Sequence, residues 1–159
     1  IFRHIFCNKI FKFYIMKSIF LLVFMLSSAL IQAQQDDVWL TDYNEAQKIA
    51  KEKKLPLFMY FTGSDWCKPC IKLKEDYFET SEFLNKTNDF VLLMVDRPYR
   101  LDIISEAQME KNKALIKKYN KENTFPLMLL LDHKGKVLKD ISGYSGDPRY
   151  YRAFINENS

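Results

Sequence analysis

Leu55-Pro56-Leu57-Phe58-Met59-Tyr60-Phe61-Thr62, continued through Gly63-Ser64-Asp65 into Trp66-Cys67-Lys68-Pro69-Cys70, sets the fold of this 159-residue chain. The first eight residues are a short apolar run with aromatics, the pattern of a buried strand. Residues Ile71 to Phe78 read as a helix. Two cysteines separated by two residues can close a small disulfide ring, and can also exchange it with a partner through a thiolate. At a strand-to-helix junction, Cys67 meets unpaired backbone N–H groups and the positive end of the helix dipole, both of which favour an anion. Its thiolate pKa is therefore expected to be depressed, with Lys68 pushing the same way. Cys70, one turn further on, is expected to be the more buried thiol and to resolve a mixed disulfide formed by Cys67.

The same spacing serves structural disulfides and half-sites for zinc. Zinc takes about four ligands, and beyond the N-terminal leader the only other Cys or His is His133. A disulfide across so short a loop stabilises little, because the benefit grows with loop length. Redox exchange fits this context better.

Trp-Cys-x-Pro-Cys after a buried strand resembles the thioredoxin superfamily. The longer stretch Gly63 to Cys70 is similar to secreted thioredoxin-like reductants and to the C-terminal periplasmic domain of DsbD-type thiol:disulfide interchange proteins. The resemblance covers roughly residues 38 to 157. It implies an α/β thioredoxin-like fold, with a mixed central β-sheet and helices on both faces. It also implies a thiol-disulfide oxidoreductase in which Cys67 and Cys70 are catalytic, with no cofactor beyond their redox-active disulfide and no metal. Trp66, Lys68 and Pro69 would belong to the substrate-binding surface, with Pro69 holding the helix start. In this family the proline after Thr124-Phe125 would be cis and lie against the cysteine pair, so that Phe125 and Pro126 wall a groove that takes an extended client by strand addition.

One departure stands out. Thioredoxins usually keep a buried acid on the strand leading to the pair, and here that strand offers only apolar side chains, Tyr60 and Thr62. Proton removal from Cys70 then needs water or another group. Lys68-Pro69 also lacks the His common between the cysteines of strong oxidases, so a reductant or general exchanger is expected.

The N-terminal part reads as an address. Met16 and Lys17 precede the apolar run Ile19 to Leu26, which continues weakly to Ile31 before the small residue Ala33. This is the pattern of a secretory signal peptide over residues 16–33, cut between Ala33 and Gln34. The run is shorter than the roughly 20 residues of a membrane span. Residues 1–15 read as an upstream leader, and residues 34–159 as a single thioredoxin-like domain.

Of the 24 Lys and Arg residues, Arg3, Lys9, Lys12 and Lys17 lie before the cut, so the remaining basic residues equal the 20 acidic ones. The mature chain is formally neutral, which argues against a nucleic-acid partner. Cys7 is lost with the leader, leaving one cysteine pair. An export signal with a single Cys-x-x-Cys points to redox exchange in the periplasm or another extracytoplasmic space. Membrane contact would come only through the transient signal peptide. The partners implied are disulfide-containing client proteins and a membrane thiol transporter as electron donor.

The other elements follow from pattern. Val38-Trp39-Leu40 is a short extended segment, with Trp39 a packing residue. Thr41 or Asp42 can cap a helix carrying Tyr43, Ala46, Ile49 and Ala50. Phe90 to Val95 is a second strand, apolar on both faces and closed by Asp96. The loop beginning Arg97-Pro98-Tyr99-Arg100 is longer than in a minimal thioredoxin; its two readings are a loop that shapes partner specificity and, favoured by its two arginines, a solvated surface. A helix over about Ser105 to Tyr119 offers Ala107, Leu115, Ile116 and Tyr119 for burial and would cover one edge of the sheet. Leu127 to Leu131 and Val137 to Ile141 form a hairpin across Asp132 to Lys136, with Gly135 at positive φ and His133 at the polar tip, outside any catalytic role. Tyr150, Tyr151, Phe154 and Ile155 mark a last helix on the sheet.

Readings from other classes are a non-catalytic thioredoxin-fold module that holds extended clients, a disulfide-forming oxidase, and a Cu(I) carrier using soft thiolates. No Met or His beside the pair adds a copper ligand.

Overall fold

The computed structural model describes residues 38–157. The expected leader, signal peptide and cleavage point lie outside the described residues. Helix α1 (Tyr43–Lys53) starts on Asp42, whose carboxylate accepts from the N–H groups of Asn44 (2.9 Å) and Glu45 (3.0 Å). Two donors that a helix start leaves unpaired are thereby satisfied. The following strand, β1 (Leu57–Thr62), begins two residues later than the apolar run suggests. The Leu55 N–H is used in closing α1 on Ala50 (3.1 Å), and Pro56 has no N–H to offer a ladder.

The redox helix begins at Lys68, directly after Cys67, as expected of a cysteine at the strand-to-helix junction with Pro69 holding the helix start. Helix α2 (Lys68–Leu73) has Cys67 as its N-cap and Pro69 in its first turn, and runs on as a wider π-helical turn over Lys74–Phe78. The first turn tolerates proline because its N–H groups have no intrahelical partner. A short α3 (Ser81–Leu84) and a 3₁₀ turn (Thr87–Asp89) lead into β2 (Val91–Asp96). After a loop come α4 (Glu106–Tyr119), β3 (Leu127–Leu131), β4 (Val137–Ser142) and α5 (Arg149–Asn156).

The strands lie in the order β2-β1-β3-β4. β1 runs parallel to β2 and antiparallel to β3, and β3 runs antiparallel to β4. This is the mixed sheet expected from the resemblance. Alternate residues of β1 serve opposite faces, as a period of two requires. Phe58 and Tyr60 join an aromatic layer with Leu73, Tyr77, Phe78 and Phe83, whereas Leu57, Met59 and Phe61 meet Ala46, Ala50, Leu115 and Ile116. Trp39 packs as expected, its ring lying nearly parallel to Phe83 at 5.9 Å and edge-on to Phe78 at 5.3 Å.

Two burial expectations fail. Ala107 is exposed, and the buried face of α4 is instead Asn112, Leu115 and Ile116. At about 100° per residue Ala107 lies roughly opposite Ile116 and about 140° around the helix from Asn112, outside the buried stripe. The buried amide of Asn112 donates to the Asp96 carbonyl (2.7 Å), so a polar residue fills the place. Tyr150 is 67% exposed, because α5 turns Tyr151, Phe154 and Ile155 to the sheet and leaves Tyr150 beyond the edge of that stripe. Among the described residues no helix is long and apolar enough to cross a membrane.

Candidate active site

The connection from β1 to α2 is a tight turn closed on Gly63: the Trp66 and Cys67 N–H groups donate to its carbonyl at 3.2 and 2.8 Å. The glycine is required for space. A Cβ at Gly63 would overlap the Trp66 indole, 2.5 Å from its Cζ2 and Nε1. The turn is tied sideways to the end of β2, where the buried Asp96 carboxylate accepts from Ser64 N–H (2.9 Å) and Ser64 Oγ–H (2.6 Å).

Cys67 and Cys70 are joined by a disulfide, with their Cα atoms 5.2 Å apart. Cys70 was expected to be the more buried thiol, yet both are nearly inaccessible, at 3% for Cys67 and 1% for Cys70. Position separates them more than exposure does. Cys67 caps α2, and its carbonyl takes the N–H groups of Cys70 (2.9 Å) and Ile71 (3.0 Å). Cys70 lies inside the helix, and its carbonyl accepts from the buried Tyr60 hydroxyl at 3.2 Å. Burial pushes the Tyr60 phenol up from its ordinary value, so it stays a donor. A cavity of about 250 Å³ reaches Cys70 from the side of Thr62, Ser64, Glu75 and Glu79.

The residues expected to bind substrate divide into two groups. Trp66 and Phe125 come together, both half-buried, with ring centroids 5.3 Å apart at 74°, against the aromatic core that holds the cysteines. Pro126 is buried just before β3, and the Phe125–Pro126 peptide is cis. Because Phe61 pairs with Leu127, Pro126 lies alongside Thr62, at the end of β1 from which the redox turn departs. Lys68 and Pro69 are exposed in the first turn of α2, beside the disulfide.

Two further residues join the site. The Asp65 carboxylate accepts the backbone N–H groups of Tyr99 (2.9 Å) and Arg100 (2.9 Å), and the Tyr99 ring stacks on Trp66 at 5.0 Å. The loop after β2, for which a solvated surface was favoured over a role in partner specificity, is therefore anchored over the redox turn. The extra length of that loop was the one signal in the sequence. Desolvation opposes ionisation of Asp65, but the N–H groups of Arg100 and Tyr99 prevail and hold its carboxyl below the ordinary value. His133 lies in the β3–β4 turn, where its carbonyl accepts from Gln47 (2.9 Å), a structural contact at the far end of the hairpin.

The family profile for the thioredoxin-like domain matches residues 43–158. The thioredoxin-related protein DsbJ of Chlamydia pneumoniae is 33% identical over 111 residues, which are 69% of this chain and 31% of that protein. The disulfide bond reductase DsbH of the same organism is 35% identical over 97 residues, 60% of this chain and 57% of that protein. The chain thus spans about a third and somewhat over half of these two relatives. A solved structure of a DsbH oxidoreductase superposes with a TM-score of 0.66 at 28% identity, covering 80% of this chain and 91% of that one.

Proposed function

Because this chain belongs to the thioredoxin-like domain family, whose general chemistry is thiol–disulfide exchange, we propose that it is an exported reductant of protein disulfides acting through Cys67 and Cys70. The observation that carries this reading is the disulfide at the start of α2, held in the buried cluster against which Trp66 and Phe125 pack. The reductase name of one relative supports the direction of electron flow.

In the reduced protein, the Cys67 thiolate attacks one sulfur of a client disulfide, forms a mixed disulfide and expels the other client sulfur as a thiolate. Cys70 then attacks the Cys67 sulfur, expels the second client thiolate and leaves the Cys67–Cys70 disulfide. Two electrons pass to the client, and the protein ends in the oxidised state seen here. The N–H groups at the start of α2 favour the Cys67 thiolate, both as attacker and as the leaving group of the second step. The cavity beside Cys70 opens to solvent and gives its proton a path to water, since β1 offers no acid. Trp66, Lys68, Pro69 and Phe125 form the client surface, with the buried Pro126 backing it at the start of β3. Export would follow from the signal peptide, and a membrane thiol transporter would return the electrons.

The reduction potential of the Cys67–Cys70 pair tests this reading. Thioredoxin-type reductants lie near about −270 mV and strong oxidases near about −120 mV, a gap of roughly 7 kcal/mol for two electrons. Equilibration against defined thiol–disulfide buffers is expected to place the pair toward the lower end. A value near the upper end would make the protein a disulfide-forming enzyme instead.

A further inference from the structure

The loop after β2 forms an outer layer over the redox turn that dithiol exchange alone does not require. Three contacts fasten it. Asp65 accepts from the Tyr99 and Arg100 N–H groups, the Trp66 Nε1–H donates to the Arg97 carbonyl (2.7 Å), and the Tyr99 ring lies at 17° to the Trp66 plane with centroids 5.0 Å apart. Offset stacking of this kind fixes a ring in place. Even so, Tyr99 remains 71% exposed, and Leu101 beside it is 81% exposed. Asp65 is met by backbone N–H groups and Arg100 by Asp102 at 3.0 Å, while Arg97 and Lys68 stay exposed nearby. The apolar surface that this part of the loop offers a client is the Tyr99 ring with Leu101. It is continuous with the site, since the indole that carries Tyr99 also meets Phe125 at 5.3 Å.

We propose that Tyr99 is a specificity-determining residue for the exchange reaction: held on Trp66 by the positioning residue Asp65, it receives a large apolar side chain next to the client's disulfide cysteine. An exposed apolar surface joined to a reactive centre is a usual mark of partner recognition. The assignment rests on the reading of the pair as a reductant of protein disulfides.

The test uses two disulfide peptides that differ only in the residue after one cysteine, Leu in one and Ser in the other. Both are offered to the reduced full chain and to its Tyr99→Ala, Tyr99→Phe and Asp65→Ala variants. The wild type is expected to prefer the Leu peptide in kcat/KM. Tyr99→Ala should lower that preference roughly five- to tenfold, mainly through the KM of the Leu peptide, as expected for loss of one aromatic contact. Tyr99→Phe should keep the preference, because the ring makes the contact, and Asp65→Ala should lose it by releasing the ring. An unchanged preference in Tyr99→Ala, or equal use of both peptides by the wild type, would overturn the assignment and leave the reductase reading intact. Failure of the reduced wild type to act on either peptide would sink the reductase reading, and this assignment with it.

Discussion

Gly63 shows how a single position can be decided by a neighbour three residues away. Its missing side chain leaves room for the Trp66 indole, and an added Cβ would overlap that ring. Gly63→Ala is expected to destabilise the oxidised protein by about 1–3 kcal/mol, the usual range for overpacking, and to shift the Trp66 fluorescence. Urea denaturation with intrinsic fluorescence measures both. The cysteines make a sharper pair of expectations. Cys70→Ser should accumulate a mixed disulfide with client through Cys67, visible as a thiol-sensitive band on a non-reducing gel, whereas Cys67→Ser should trap little. Equal trapping by both variants would contradict the assigned order of attack. The cysteines were legible from spacing alone, whereas the demand on Gly63 is a distance to a ring and leaves no periodic trace.

The turn between β1 and α2 and the loop after β2 work as one unit, tied by Ser64 to Asp96 and by Asp65 to Tyr99 and Arg100. Ser64→Ala removes a hydroxyl donor from a buried carboxylate and is expected to cost roughly 1–3 kcal/mol in denaturant unfolding. A loss below about 0.3 kcal/mol would show that the tether contributes nothing measurable. At the other end of β1, α1 terminates on Lys54 with φ of 57°. A side chain pays a steric cost in that left-handed region, so Lys54→Gly is expected to raise stability by up to about 1 kcal/mol. An unchanged or lowered denaturation midpoint would refute this. Nothing in the sequence marks this left-handed residue, because lysine rarely adopts that region.

Across the whole molecule, ionisation sets a stability plateau with two different edges. On the acid side, the Lys111 ammonium holds Asp42 below its ordinary value of 3.8, the Tyr144 hydroxyl does the same for Asp76, and the Lys136 N–H for Asp132. A carboxyl depressed on folding stabilises fully above its unfolded pKa, and that contribution fades as pH falls toward the folded value. On the alkaline side, burial pushes Tyr77 from 10.0 up to about 12 and raises Tyr60 and Tyr151 as well. A phenol raised on folding stabilises fully below its unfolded pKa, and this is lost as pH climbs past it. The thermal midpoint of the oxidised protein should thus be nearly level between about pH 5 and pH 9, falling below about pH 4 and above about pH 10. A midpoint that climbs steadily across the plateau would show that other groups dominate.

Strand and helix order, the two-faced sheet and the cysteine pair could be read from residue order, because alternation, helical spacing and a short motif are consequences of local backbone geometry. The cis Phe125–Pro126 peptide was legible only through the family resemblance. The burial of Asn112, the exposure of Tyr150 and the Tyr99–Trp66 stack were settled by contacts across the folded molecule. Asp65 and Tyr99 are separated by 34 positions and share no repeating pattern. What joins them is the parallel pairing of β1 with β2, which brings Thr62 beside Asp96 and so sets the redox turn next to the loop that follows β2.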